Sequence, residues 1–148
     1  MENWKKQLEK LDKTLSVFGI YFDVEYSHSD RQYSIYQTQP NCIICKQAGL
    51  LKDEICEFLD VIAYETIEEA IKTPGDVSKF YGWLLDYKGV FMHPDDSFFD
   101  CINFETKERT FTDAEAKALD RIVEKCFDIC EEKGVDVYEF AEIGVLPF

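Results

Sequence analysis

Apolar residues recur at every third or fourth position in several parts of the chain, and this spacing predicts amphipathic helices. The first such part spans residues 3–17, and Gly19 follows it at a position where helices commonly stop. The apolar positions of this first helix are Trp4, Leu8, Leu11 and Leu15. Its lysines fall mostly on the other sides, so we expect one face of the helix to be buried.

The middle of the chain shows the same spacing in shorter runs. Residues 51–62 give one helical stripe, and the sequence TIEE at 66–69 has the form of a capping box, which predicts a new helix there. The Pro-Gly pair at 74–75 predicts the end of that short helix. Asp76 then predicts the cap of a further helix, which stops at Gly89.

The clearest helix is predicted near residues 112–133. It begins with a second capping box, TDAE at 112–115, and Gly134 is placed to end it. Its apolar stripe consists of Leu119, Ile122, Cys126 and Ile129. Asp136 predicts the cap of a last short helix.

Alternation of apolar and polar residues predicts strands elsewhere in the chain. Residues 20–26 and 31–37 alternate on either side of a polar turn at 27–30, which predicts a β-hairpin. A third strand is predicted at 98–104, where two polar residues interrupt the alternation. Together these elements predict an α+β fold in which a small antiparallel sheet, the N-terminal hairpin plus a third strand, packs against several helices.

Length and composition fit one globular domain in the cytoplasm. With 148 residues, 46% of them hydrophobic, the chain has room for a single domain, 1–148, with its own core. No run of about 18 apolar residues occurs, so we expect no membrane span. The charged, amphipathic start of the chain does not resemble a secretory signal, and we expect a cytoplasmic protein. In that compartment the six cysteines are expected as reduced thiols.

Negative charge is concentrated in the later part of the chain. Residues 1–50 carry 6 acidic and 6 basic residues, whereas residues 51–148 carry 24 acidic and 10 basic ones, which accounts for the net charge of −14. Because carboxylates and phosphates repel each other, this distribution argues against direct nucleic-acid binding and favours a basic partner. The alternative is that the charge serves solubility alone.

The common signatures of catalytic and nucleotide-binding sites are missing from the sequence. It has no phosphate-binding loop, dinucleotide-binding turn, zinc-protease helix or nucleophile elbow, and its 7 glycines are scattered. We therefore expect no enzyme activity and no cofactor. His93, which begins the sequence HPDD, could ligate a divalent metal with Asp95 and Asp96, but the same residues are typical of a turn.

The C-x-x-C spacing of Cys42 and Cys45 keeps a second hypothesis open. With Cys126 and Cys130, which lie four residues apart on one predicted helix, these thiols could form a zinc site or another cysteine- or metal-dependent centre. Against this, the two isoleucines between Cys42 and Cys45 favour an extended chain. The preferred interpretation is that residues 41–46 form a short buried strand or loop and that the thiols are buried.

The surface that remains for function is acidic. The long helix presents six carboxylates away from its apolar stripe, while Lys117, Arg121 and Lys125 are expected to offset part of their repulsion. Together with the two acidic residues of HPDD, these carboxylates are the predicted partner-binding residues. They are Asp113, Asp120, Glu124, Asp128, Glu131, Glu132, Asp95 and Asp96.

In size and charge the chain resembles nuclease immunity proteins, antirestriction proteins and phage anti-CRISPR proteins, although it shares no motif with them. The resemblance implies a non-catalytic inhibitor whose carboxylates imitate nucleic-acid phosphates on a basic surface, such as that of a nuclease or another nucleic-acid-binding enzyme. The alternative is a generic interaction domain. Nothing in the sequence indicates an oligomeric state.

Two tyrosines, Tyr21 and Tyr36, fall on the outer face of the predicted hairpin. Exposed aromatic residues often anchor binding interfaces, so the pair could contribute to one. We prefer the interpretation that a helix covers this face and that both tyrosines belong to the core.

Overall fold

The structure, a computed structural model, describes residues 3–39, 43–89, 98–102 and 105–137. Its elements in chain order are helix α1 (Asn3–Leu15), strands β1 (Tyr21–Ser27), β2 (Gln32–Gln39) and β3 (Ile44–Leu50), and helices α2 (Ile55–Ala70), α3 (Pro74–Lys88) and α4 (Asp113–Glu132). Short 3-10 turns lie at Ser16–Phe18, Lys52–Glu54 and Phe98–Asp100. An antiparallel sheet of three strands together with these helices confirms the predicted α+β class.

The chain divides into two compact units, Met1–Ala63 and Tyr64–Phe148, which we describe in turn. Helix α2 begins in the first unit and ends in the second. The prediction of a single domain over residues 1–148 stays a prediction.

In the first unit the sheet has the order β1-β2-β3, and both strand pairs are antiparallel. The predicted hairpin is confirmed, with Val24 opposite Ile35 and Tyr26 opposite Tyr33. The turn between its strands is closed by a hydrogen bond from the Arg31 N–H to the Ser27 carbonyl oxygen, 2.8 Å. Arg31 has a positive φ of 57° there, as tight turns often require.

One face of the sheet packs against α1. The buried positions on this inner face are Phe22, Ile35 and Leu50, and those of α1 are Leu11 and Leu15. The Trp4 ring meets the Tyr33 ring edge-on at 6.1 Å between centroids. Packing of alternate strand residues against the apolar stripe of a helix is what the two sequence periods predict.

Helix α1 is also tied to the first turns of α2. The side-chain amide of Gln7 donates to the Cys56 carbonyl oxygen and to an Asp60 carboxylate oxygen, both at 2.8 Å. One amide group therefore joins two helices that bury apolar side chains in the same unit.

Strand β1 lies at an edge of the sheet, and two of its backbone N–H groups donate hydrogen bonds to carboxylates. Asp12 accepts from the Phe22 N–H at 3.0 Å, and Asp23 accepts from the Val24 N–H at 2.9 Å. Partial burial raises the pKa of Asp12, the hydrogen bond from Phe22 lowers it, and the charge of Asp23 raises it further; the net shift is upward. Edge strands whose N–H groups are engaged in this way are less open to pairing with another chain.

The third strand of the sheet is Ile44–Leu50, and the prediction of residues 98–104 was wrong. Residues Phe98–Asp100 form a 3-10 turn, Ile102 makes an isolated bridge to Arg109, and residues 103 and 104 lie outside the described residues. Only the first residues of this strand fall within the short strand or loop predicted at 41–46, because the strand's centre, CKQAG, has no apolar alternation.

The second unit is built from the last turns of α2, then α3 and α4. Its core includes the T-shaped pair of Tyr64 and Trp83, with ring centroids 5.8 Å apart, and the similar pair of Phe98 and Phe111 at 5.5 Å. The fully buried aliphatic residues of this unit include Ile67, Val77, Leu84, Leu119 and Ile122.

Two of the predicted helix boundaries in this region were wrong. Thr66 does not start a helix, because α2 runs through it and its side chain is 3% exposed. The apolar spacing continues to Ile67, so burial outweighs the local capping signal. Pro74 does not end a helix but begins α3, a position where its missing N–H costs nothing.

The N-cap of α3 is Thr73. Asp76, which was predicted as the cap, lies three residues further on, inside the first turn. One carboxylate oxygen of Asp76 accepts from the Lys72 N–H at 2.9 Å and the Thr73 N–H at 3.0 Å. Partial burial raises the pKa of Asp76, but these hydrogen bonds, the Thr73 hydroxyl and Lys79 outweigh burial and leave the pKa below its usual 3.8.

The start and end of α4 were predicted closely. Thr112 is its N-cap and accepts from the Glu115 N–H at 3.2 Å, while Glu115 accepts from the Thr112 N–H at 3.3 Å. Gly134 follows the helix with a positive φ of 69°, and Gly89 likewise follows α3 with a φ of 68°. The predicted short helix after Asp136 lies mostly outside the described residues.

The lowered pKa of Asp76 predicts an acid-dependent contribution to stability. Because its folded pKa lies below the unfolded value of 3.8, the ionised side chain stabilises the fold above that pH, and this contribution is lost as the pH falls through the folded pKa. We expect Asp76→Asn to lower the free energy of unfolding by about 1 kcal/mol at neutral pH.

Urea unfolding of both proteins between about pH 7 and pH 2 measures this difference, which should shrink below about pH 4. The exposed Asp53→Asn variant is the control and should change stability by less than about 0.5 kcal/mol throughout. A difference between the wild type and Asp76→Asn that stayed constant across this range would contradict the prediction.

Candidate partner-binding surface

The buried side of α4 determines which of its residues reach solvent. The buried residues have a relative solvent exposure of 0% and are Ala116, Leu119, Ile122 and Cys126. At about 100° per residue, positions 120, 124, 128 and 131 project from the opposite side of the helix. The predicted carboxylates therefore share the solvent side of one rigid element.

The structure places the predicted residues of α4 as follows. Asp113, Glu124, Asp128, Glu131 and Glu132 are exposed, and Asp120 is half-buried. Asp113 forms an ion pair with Arg109, whose nearest guanidinium nitrogen lies 2.6 Å from a carboxylate oxygen. The predicted residues Asp95 and Asp96 lie outside the described residues, as does His93.

Five of these carboxylates make no ion pair within the part of the chain that the structure describes. We call them the acidic row, and they are Asp120, Glu124, Asp128, Glu131 and Glu132. The negative charge of the row is therefore not paired within the described part of the chain.

Three basic residues were expected to offset part of this negative charge, but two of them, Arg121 and Lys125, contact Glu68 instead. The Arg121 Nε donates to a carboxylate oxygen of Glu68 at 3.1 Å, and the Lys125 Nζ donates to the Glu68 backbone carbonyl. Glu68 lies in the last turn of α2, where carbonyl groups lack helical partners and attract cations. Both basic side chains therefore contact α2, although Arg121 remains exposed, and Lys117 and Lys133 are further exposed basic residues near the carboxylates.

Asp120, at the start of the row, has a raised pKa. Partial burial is the main cause, and the negative charge of Glu124, one helical turn further on, adds to it. Like charges four residues apart disfavour ionisation of each other. A cationic partner would reverse this effect.

A buried polar cluster fixes the first turn of α4. The Tyr64 hydroxyl donates to a carboxylate oxygen of Glu115 at 2.8 Å, and the Lys88 Nζ lies 3.4 Å from the same oxygen. The other oxygen accepts the Thr112 N–H, so both carboxylate oxygens are satisfied. The capping box pointed to Glu115, but no local signal linked it to Tyr64, 51 residues away.

The cysteines give limited support to the zinc hypothesis. Cys126 and Cys130 are buried, as predicted, whereas Cys45 is exposed and Cys42 lies outside the described residues. Burial, followed by the neighbouring Cys130, raises the pKa of Cys126 to about 12, which disfavours the thiolate that metals bind. Burial likewise raises the pKa of Cys130, with a further contribution from Asp136.

Among the described residues, no group of three or more His, Cys, Asp or Glu side chains could hold a metal ion. Because Cys42 is not among them, the absence of a metal centre stays a prediction.

Residues 43–46 are less buried than predicted. Strand β3 begins at Ile44, so an extended chain is confirmed, but Ile43 is 71% exposed and Ile44 is 47% exposed. The interpretation of Tyr21 and Tyr36 as core residues was also wrong, because Tyr21 is 38% exposed and Tyr36 is half-buried. Both regions belong to the surface of the first unit.

Comparison of the chain with protein-family models, with curated proteins and with solved structures finds no match. Among the helices of the described ranges, none has the length and apolar character needed to cross a membrane.

Removal of the Tyr64 hydroxyl tests the buried cluster. Tyr64→Phe leaves the charge of Glu115 with one donor fewer, and we expect the free energy of unfolding to fall by about 1.5–3 kcal/mol, because the lost hydrogen bond joins a buried charged group. Urea unfolding measures the change, and Tyr21→Phe, at an exposed tyrosine, should stay within about 0.5 kcal/mol. Equal effects of the two variants would contradict a structural role for the cluster.

The raised pKa of Asp120 can be tested through its second cause. Glu124→Gln removes a negative charge but leaves burial unchanged, so the pKa of Asp120 should fall and yet remain above 3.8. A titration of the side-chain carboxyl carbon by NMR measures it. Glu132→Gln, three turns from Asp120, is the control and should leave the pKa of Asp120 unchanged. A shift as large as that caused by Glu124→Gln would contradict the assignment of Glu124 as the second cause.

Proposed function

We propose that this protein is a non-catalytic inhibitor that binds the basic surface of a nucleic-acid-handling protein and excludes nucleic acid from it. The observation that carries the proposal is the acidic row: five carboxylates on one side of α4 without ion pairs in the described part of the chain. Neighbouring basic side chains at positions 121 and 125 are engaged with Glu68 and do not neutralise it.

The spacing of the row suits the imitation of a nucleic-acid strand. Residues 120 and 132 are separated by about 18 Å along the helix axis, at about 1.5 Å per residue. Five charges over that length give about one per 4 Å, and a single strand of B-DNA presents one phosphate per roughly 3.4 Å. A channel lined with lysine and arginine would therefore meet a similar charge density.

The charge of the second unit supports the same proposal. Residues 64–148 hold 20 acidic and 9 basic residues, a net charge of −11, whereas residues 1–63 hold 10 and 7, a net charge of −3. The negative electrostatic potential of the second unit increases the rate of association with a basic surface and opposes direct contact with nucleic acid.

We propose a cytoplasmic location, where a nucleic-acid-handling target inside the cell would be met. The described cysteines are free thiols, as is usual in a reducing compartment.

Charge reversal of the row tests the proposal. We expect Asp120→Lys, Glu124→Lys and Asp128→Lys together to abolish inhibition of the target while the fold is retained, because the partner is attracted by carboxylates at these positions. The measurement is binding and inhibition across a panel of purified nucleases, restriction enzymes and RNA-guided nucleases. Affinity for the true target should fall as salt rises from about 0.1 M to about 1 M.

The matched control carries the same change in net charge on the first unit. Glu9→Lys, Asp53→Lys and Glu57→Lys alter three exposed residues and should leave inhibition within about threefold of the wild type, since only long-range attraction is weakened. Equal losses of inhibition for both triple variants would show that net charge, and not the position of the acidic row, determines inhibition. Inhibition unchanged by either variant, or the lack of any target in the panel, would overturn the proposal in favour of a generic interaction domain.

A further inference from the structure

The outer face of the sheet, which faces away from α1, combines two tyrosines with two carboxylates. We define this outer face by Tyr21, Asp23, Glu25 and Tyr36. On β1 the first three alternate with residues of the inner face, so they point to the same side. Tyr36 on β2 is the direct cross-strand partner of Asp23, which places a ring beside a carboxylate in the middle of the face.

This face is open, and no lysine or arginine occupies its cross-strand paired positions in the described part of the sheet. Tyr21 is 38% exposed, Asp23 and Glu25 are exposed, and Tyr36 is half-buried. The cross-strand pairs that occupy it are Asp23–Tyr36, Glu25–Ser34 and Tyr36–Cys45, and none contains a lysine or arginine. Within the described residues, neither carboxylate takes part in an ion pair.

Arginine is the side chain whose chemistry fits both components of this face. Its planar guanidinium stacks on aromatic rings and donates two parallel hydrogen bonds to a carboxylate, which a lysine ammonium cannot do. Asp23 and Glu25 are two residues apart on a strand, about 6.8 Å, which is also the spacing of alternate side chains in an extended partner segment.

We propose that the outer face of the sheet binds an extended segment of a partner protein in which arginines occupy alternate positions, with guanidinium groups paired to Asp23 and Glu25 and stacked on Tyr21 and Tyr36. The site lies in the first unit and is independent of the acidic row, so the two proposals can fail separately.

Recognition occurs through side chains, because the neighbouring edge of β1 is already occupied. The N–H groups of Phe22 and Val24 donate to carboxylates of Asp12 and Asp23. A strand that paired with the β1 backbone would have to displace both, whereas a segment lying across the outer face would leave them in place.

The test uses the full chain and short synthetic peptides in which arginine alternates with serine. Isothermal titration measures affinity at low salt, and NMR follows the ring signals of Tyr21 and Tyr36. We expect the arginine peptide to bind and to shift both rings. The matching lysine peptide should bind about threefold or more weakly, because it lacks the stacking and bidentate contacts.

Neutral, nearly isosteric variants assign the site. Asp23→Asn with Glu25→Gln should weaken binding about five- to thirtyfold, as expected for the loss of two exposed ion pairs. Asp120→Asn with Glu124→Gln removes the same charge from the acidic row and should change the affinity by less than about twofold. Circular dichroism spectra of both double variants should match the wild type.

Several outcomes would overturn the proposal. These are an arginine peptide that does not bind, one that binds without moving either ring, and one whose affinity depends on the acidic row instead of Asp23 and Glu25. Equal binding of a peptide with citrulline in place of arginine would show that charge is not required. A dimer detected by light scattering, together with a Tyr21 ring signal in the NMR spectrum that changes with protein concentration, would assign the face to a second copy of the chain.

Discussion

The carboxylate of Glu115 is the interaction on which the second unit most depends. It receives a hydroxyl from α2, an ammonium from α3 and a backbone N–H from the start of α4. Glu115 lies in the first turn of α4, and Lys88 lies in the last turn of α3, so each charge occupies the helix end that favours it. The loss of one hydrogen-bond donor to such a buried charge costs about 1.5–3 kcal/mol, which makes Glu115 a constraint on how the three helices pack.

The position of α4 determines what its remaining charges can do. Leu119 and Ile122 are buried, and the basic side chains at 121 and 125 reach Glu68 at the end of α2. The α2 carbonyl that Lys125 satisfies has no partner within its own helix. The same contacts that complete α2 therefore withdraw cations from the acidic row, and the charge pattern of the surface follows from the packing beneath it.

Sequence reasoning succeeded where the signal was local. The limits of α4 follow from a capping box, a stripe and Gly134, and exposure of the row follows from its position opposite the stripe. It failed where distant residues decide the outcome. Arg121 is 53 residues from Glu68, so no spacing rule could pair them. Strand β3 has a polar centre and two register shifts, so its place beside β2 depends on pairing and not on its own pattern.

The acidic row is unfavourable for the helix that carries it. Repulsion between carboxylates four residues apart costs a few tenths of a kcal/mol per pair. Glu131 and Glu132 add to this, because they lie in the last turn of α4, which contains no basic residue and where the helix dipole disfavours negative charge by about 0.3–1 kcal/mol each. Glu115 and Lys88 show the opposite arrangement, in which each charge suits its helix end. A charge placed for stability would follow the second pattern, whereas the row has the charge distribution that the proposed cationic partner would require, since binding of cations would remove its repulsion.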